Sequence, residues 1–174
     1  KFLVKELGKS YHATIETAKA LLNDFNDKIN LPTDLAANVE DNRVDLLVEE
    51  LPIDAPLFDM GINSIMRLSS AIKNAGTIIL NGPAGVFEVE DFALGTIEML
   101  NACAESNGYV VVGGGHTATL IMNRGIADKM GHVSTGGGAC LDYLAGKILP
   151  GIASLQVSAD KFFMDVTKTV NSNE

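Results

Sequence analysis

Residues 109–122 read Tyr-Val-Val-Val-Gly-Gly-Gly-His-Thr-Ala-Thr-Leu-Ile-Met. Tyr109-Val110-Val111-Val112 is an apolar, β-branched run too short for a buried helix, and it predicts a buried strand. Gly113-Gly114-Gly115-His116-Thr117 follows, and residues 118–122 suit the first turns of a helix. A strand, a glycine turn and a helix start together make an anion site. Amide N–H groups without intrahelical acceptors point outward from a helix N-terminus, and glycine lets an anion come close to the backbone. The pattern recurs downstream. His132-Val133-Ser134 predicts a short strand, Thr135-Gly136-Gly137-Gly138 a second glycine turn, and residues 139–145 a second helix start. Two such turns after consecutive strands on one sheet edge predict two amide cradles facing one polyanionic ligand. Loops that are glycine-rich only for tight turning are the alternative, and three consecutive glycines carry a large entropy cost for that purpose alone.

Working outward, residues 14–27 place Ile15, Ala18, Leu22 and Phe25 on one face and predict a helix. Residues 28–31 predict a short strand ended by Pro32, with Asp34 a capping or turn residue. Residues 35–50 stay open between strand and helical turn. Phe58-Asp59-Met60-Gly61 predicts a strand closing in a glycine turn, followed by a helix over 63–74 with Ile65, Leu68 and Ile72 inward. Residues 77–80 predict the next strand, and Asn81-Gly82-Pro83-Ala84-Gly85 a loop. Residues 90–106 make the strongest helix, with Phe92, Thr96, Met99, Leu100 and Cys103 as its buried stripe, stopped by Asn107-Gly108. Pro150-Gly151 is expected to close the organised part, leaving an apolar cluster at Phe162, Phe163 and Met164 and a mobile polar end.

Strands alternating with helices predict an α/β domain, a doubly wound parallel sheet with helices on both faces in three layers. Ligands in such sheets bind beyond the carboxyl ends of the strands. Leu80, Val112 and Ser134 are three such ends, so residues 81–85, 113–117 and 135–138 are expected to line one crevice.

Composition sets the outer limits. A length of 174 residues suits one domain, at most with an appendage. Hydrophobic residues at 47% and charged residues at 20% make an ordinary globular composition. The formal charge of −9 disfavours nucleic acid and anionic membrane surfaces as partners. No apolar stretch reaches the roughly 18–20 residues of a membrane span, and the basic start at residues 1–10 lacks a signal-peptide core. Cys103 and Cys140 lack a metal-type spacing and read as two buried thiols of a cytoplasmic protein.

A dinucleotide-binding fingerprint needs G-x-G-x-x-G at the first βα turn and an acid about 20 residues on. Here the glycines are contiguous and the next strand ends in Ser134-Thr135, so that register fails. A Walker-type loop fails as well, since no Gly-Lys-Ser/Thr occurs. In the loop after Leu80, Pro83 offers a rigid apolar edge for a purine. Glu88 could accept from ribose hydroxyls, or could equally be a charge favoured by a helix N-terminus.

Asn81-Gly-Pro-Ala-Gly-Val-Phe-Glu88, Gly113-Gly-Gly-His-Thr117 and His132-Val-Ser-Thr-Gly-Gly-Gly-Ala139 resemble, in this order, the signature segments of phosphoglycerate kinases. Gly146-Lys-Ile-Leu-Pro-Gly151 is similar to that family's closing segment, and Phe92-Ala-Leu-Gly-Thr96 is also similar. The resemblance covers residues 1–155 as the latter part of the C-terminal nucleotide-binding domain, with 156–174 as a C-terminal tail. It implies an incomplete, Rossmann-like domain of a two-domain kinase. The family's 3-phosphoglycerate-binding N-terminal domain and its Gly-Gly-Ala-Lys segment are not found in the chain.

The resemblance implies an enzyme of glycolysis and gluconeogenesis that transfers the acyl phosphate of 1,3-bisphosphoglycerate to ADP, reversibly and with Mg²⁺. By this likeness Pro83 would border the adenine, Glu88 would hold the ribose hydroxyls and Asn81 would lie near the phosphates. Gly114, Gly115, His116 and Thr117 would cap the phosphates of ADP or ATP. Gly114, Gly136 and Gly137 would be the catalytic amides, Gly136 and Gly137 facing the phosphoryl group in flight. Many members carry an Asp that ligates Mg²⁺ where His116 stands, and imidazole is a poor ligand for so hard a cation, which leaves the metal ligands unknown. Leu80 in place of a frequent Trp is similar to an archaeal branch.

No Lys or Arg occurs in residues 75–123, and Arg124 and Lys129 read equally as solvated surface charges. Helix N-termini contribute only about 0.3–1 kcal/mol each at exposed sites, too little to neutralise a triphosphate in transfer. The chain alone is therefore expected to bind Mg-ADP weakly and to be inactive. A non-catalytic adenine-nucleotide-binding or assembly module is the alternative.

Overall fold

Val110 and Val112 are fully buried while Tyr109, the first residue of the run, is exposed, and the apolar run at the heart of the sequence does form a strand. The protein is described by a computed structural model over residues 11–170, with side chains as far as residue 162. Its elements run in the order α1 (His12–Phe25), β1 (Asp34–Val39), β2 (Asn42–Leu47), β3 (Leu57–Met60), α2 (Ile62–Lys73), β4 (Thr77–Asn81), α3 (Leu94–Glu105), β5 (Tyr109–Gly113), α4 (Gly115–Asn123), β6 (His132–Val133), α5 (Gly138–Leu144) and α6 (Pro150–Val170). The basic start at 1–10, the side chains of Phe163 and Met164 and the end beyond 170 lie outside the described residues.

The chain divides into two compact units. One comprises residues up to Asn74 with Pro83–Ser106; the other comprises Ala75–Gly82 with residues from Asn107 on. The second unit holds the expected parallel sheet in the order β4-β5-β6, with Leu80 opposite Val112 and Asn81 opposite Gly113. Buried Ile78 and Leu80 alternate with exposed Thr77 and Ile79, the period-2 pattern that pleating imposes. Both α4 and α5 contact β5.

The first unit carries a second, antiparallel sheet in the order β2-β1-β3. Residues 35–50 thus resolve as a strand, a turn and a second strand. The turn places Glu40 and Asp41 at φ 49° and 62°. Two successive positive φ values suit a primed hairpin turn, which normally advertises itself by Asn-Gly; Glu-Asp does not. The expected strand at 28–31 is absent: Lys28 N–H donates to Phe25 O at the end of α1, and the chain then runs without regular structure to residue 33. Among the described residues no strand pairs with it.

Asp34 is a cap, though of a helix distant in sequence. It is 3% exposed and accepts from the N–H of Asn63 (2.9 Å) and of Ser64 (2.7 Å), two orphan donors in the first turn of α2. Ser64 Oγ also donates to it at 2.5 Å. In α2, Ile65 is buried and Leu68 and Ile72 are half-buried. The strongest predicted helix begins as a short 3-10 turn, Glu90–Phe92, before α3. Its stripe holds: Phe92, Thr96, Leu100 and Cys103 are buried and Met99 is half-buried. Regular structure continues past Pro150-Gly151, since α6 runs unbroken to Val170. No described helix is long and apolar enough to cross a membrane.

Candidate functional site

In the second unit the carboxyl ends of the three parallel strands come together. Asn81 ends β4 beside Gly113, so close that a Cβ on Gly113 would lie 2.7 Å from Asn81 Oδ1. Gly114 caps α4 at φ 91°, a left-handed conformation that L side chains rarely adopt. The first turn of α4 then presents the amides of Gly115, His116 and Thr117, which no helix can satisfy internally. His116 is exposed, and Thr117 is 1% exposed with its hydroxyl buried and without a protein hydrogen-bond partner. A buried hydroxyl left unpaired costs about 1–3 kcal/mol, so this atom marks a place where a polar ligand would be favoured.

The second glycine turn lies at the end of β6, joined to β5 by Ser134 N–H donating to Val112 O at 2.7 Å. Gly136 N–H donates to Ser134 Oγ at 3.2 Å, so that amide already has an acceptor and an arriving phosphoryl oxygen would have to replace it. Gly137 precedes α5 at φ 54°.

Pro83 and Glu88 belong to the first unit. Pro83, Ala84 and Val86 border an open cleft of about 440 Å³ whose other side is Leu35, Leu57 and Phe58. The loop carrying Pro83 is tied down from below: Thr96 Oγ1 of α3 accepts from Ala84 N–H (3.0 Å) and Gly85 N–H (3.3 Å). Val86 N–H donates to Phe58 O of β3 at 2.8 Å. Glu88 is exposed and outside the lining of this cleft. A second cleft of about 490 Å³ lies between α2 and α3, lined by Ile62, Ile65, Met66 and Leu94, and holds none of the glycine-loop residues.

Sequence reasoning singled out Pro83 but missed the opposite wall, Leu57 and Phe58, because only the β1-β3 pairing brings them to the loop. It also missed the ion pair between half-buried Arg43 and buried Asp59 (3.0 Å), whose partners lie on separate strands. Among the described residues no group of three His, Cys, Asp or Glu could hold a metal ion. Cys103 is buried, its thiol pushed up to about 11 by burial, whereas Cys140 is only half-buried, against the expectation of two buried thiols.

Comparison with known proteins gives a consistent picture. A family model described as phosphoglycerate kinase matches residues 2–147. The chain is 44% identical over 155 residues to a phosphoglycerate kinase of Methanosarcina mazei, covering 88% of this chain and 37% of that protein. It is 44% identical over 160 residues to one of Methanocorpusculum labreanum, covering 92% and 39%. Among solved structures, the phosphoglycerate kinase of Pyrococcus horikoshii superposes with a TM-score of 0.79 at 34% identity, covering 92% of this chain and 40% of that one. That of Coxiella burnetii gives 0.72 at 33% identity, covering 79% and 38%. The chain thus spans about two fifths of the length of these relatives.

Proposed function

Because the chain belongs to the phosphoglycerate kinase family, we propose that it is the ADP- and ATP-binding part of a kinase that moves the acyl phosphate of 1,3-bisphosphoglycerate to ADP, reversibly. The observation that carries the reading is the end of β5: Gly114 at positive φ, a helix N-terminus directly behind it, and the unpaired buried hydroxyl of Thr117. An acceptor-rich anion suits that combination, because helix N-terminal amides and a hydroxyl can all donate to it.

In this proposal Gly114, Gly115, His116 and Thr117 receive the nucleotide phosphates, with Asn81 beside them. Pro83 borders the adenine in the cleft of the first unit and Glu88 accepts from the ribose hydroxyls. Gly114, Gly136 and Gly137 are the catalytic amides, which stabilise charge on the phosphoryl group by position without forming a covalent intermediate. Mg²⁺, when bound with the nucleotide, would neutralise charge on its phosphate oxygens. The second substrate, 3-phosphoglycerate or 1,3-bisphosphoglycerate, and a cytoplasmic setting belong to the same proposal.

Calorimetric titration of ADP into the 174-residue chain tests it. Glu88→Ala should weaken binding while Glu90→Ala, on the exposed turn before α3, should not. Equal losses in the two variants would show general acidity at work and remove Glu88 from the site.

A further inference from the structure

Asp59 is among the residues that line the cleft assigned above to the purine. Its side chain is 0% exposed. Oδ1 accepts from Met60 N–H at 2.8 Å, and Oδ2 accepts from Gly95 N–H at 2.9 Å and from Arg43 Nη1 at 3.0 Å. The same guanidinium donates to Asp91 O (2.9 Å), Met60 O (2.8 Å) and Asp45 Oδ1 (3.1 Å). It also lies over the Phe92 ring, 5.9 Å from its centre, and Phe92 meets the cleft residue Phe58 edge-on at 5.1 Å. Gly85 packs against the carboxylate so closely that a Cβ there would come within 2.6 Å of Oδ1.

One buried carboxylate thus touches the β3 wall through Met60, the 83–86 wall through Gly85 and the start of α3 through Gly95. Stability alone does not require an ion pair in this position, since well-packed apolar residues often serve a core equally well. A fixed arrangement of three separate segments is what the charges add. We propose that Asp59, held by Arg43, is a positioning residue for the nucleotide. Its buried carboxylate fixes the spacing between Phe58 and residues 83–86, and so sets the affinity for the base through that spacing. This rests on the purine reading of the cleft.

Adenosine and ADP, titrated separately into the 174-residue chain, test the idea against three variants. Asp59→Asn turns an amide donor toward the Gly95 and Arg43 donors and should raise both Kd values about tenfold, equivalent to about 1.4 kcal/mol. Arg43→Lys keeps the charge but not the planar fork, and should raise them by roughly threefold. Leu100→Ala, a cavity in α3 away from the cleft lining, should lower the melting temperature and leave both Kd values within about twofold. Circular dichroism establishes that each variant is folded, and if Asp59→Asn is not, Arg43→Lys carries the comparison. Unchanged affinities in the folded variants overturn the proposal. So does a loss in Leu100→Ala as large as that in Arg43→Lys, because the effect is then general loosening. Failure of the unmutated chain to bind either ligand instead removes the purine reading itself, an outcome visible before any variant is made.

Discussion

At the scale of the residue, Asp34 shows how one carboxylate can serve a distant helix. Burial raises its pKa, but the hydrogen bonds from Ser64 and Asn63 outweigh that effect and leave it below the ordinary value. A depressed carboxylate adds stability above its unfolded pKa and loses it as the pH falls through the folded one. Asp34→Asn should therefore flatten the acid limb of a stability-against-pH curve, measured by urea unfolding. Asp34→Ala at neutral pH should cost about 2 kcal/mol, because a cap is lost and buried donors are left unpaired. Cys103 runs the other way. Its thiol, pushed up to about 11, adds stability that is complete below its unfolded pKa and is lost as alkaline pH rises through the folded value. Thiol titration under native conditions should modify half-buried Cys140 first and reach Cys103 only on unfolding; equal rates would contradict its burial.

At the scale of the element, α3 does more than fill space. Its apolar stripe was legible because the period of 3.6 residues is local to the sequence. The task of Thr96 was not, since its hydroxyl serves the loop at Ala84 and Gly85, whose position depends on the fold. Thr96→Val keeps the shape and removes the acceptor. We predict a loss of about 1–3 kcal/mol, with faster amide exchange at Ala84 and Gly85 than elsewhere in the loop. Unaltered exchange at those two amides would refute the assignment. The hairpin of β1 and β2 was illegible for a related reason: Glu40-Asp41 carries no turn signal and is held at positive φ by the paired strands around it.

At the scale of the molecule, the chain spans 37–39% of its curated relatives' length. In-line transfer between nucleotide and acyl phosphate needs both substrates positioned and shielded from water. The described residues offer amides for the nucleotide but no cationic side chain within residues 75–123. Removing one preorganised donor from an active site costs about 2.7–4 kcal/mol, so a larger deficit should abolish turnover. We predict that the 174-residue chain shows no 3-phosphoglycerate-dependent ATP consumption in a coupled assay free of host enzyme. Turnover that Gly136→Val abolishes would sink this, and the control is sterically mild, since a Cβ on Gly136 comes no closer than 3.5 Å to its nearest neighbour. Apolar surface points to a further property. No residue of α1 is buried, and Ile152, Leu155, Val157 and Phe162 of α6 are exposed. Such faces favour association, so sedimentation should show concentration-dependent oligomers, and a monodisperse monomer would count against the expectation.

The sequence by itself determined the parallel sheet, the two glycine turns at its edge and the family, because strand period, glycine runs and motif order are all local or linear signals. Only the tertiary structure decided what stands around them. It set Leu57 and Phe58 opposite Pro83, turned Asp34 into the cap of α2, and closed Arg43 onto Asp59. Each of these joins residues far apart in the chain, and a long-range contact leaves no periodicity to read; it exists only once strand pairing and burial have fixed where each segment lies.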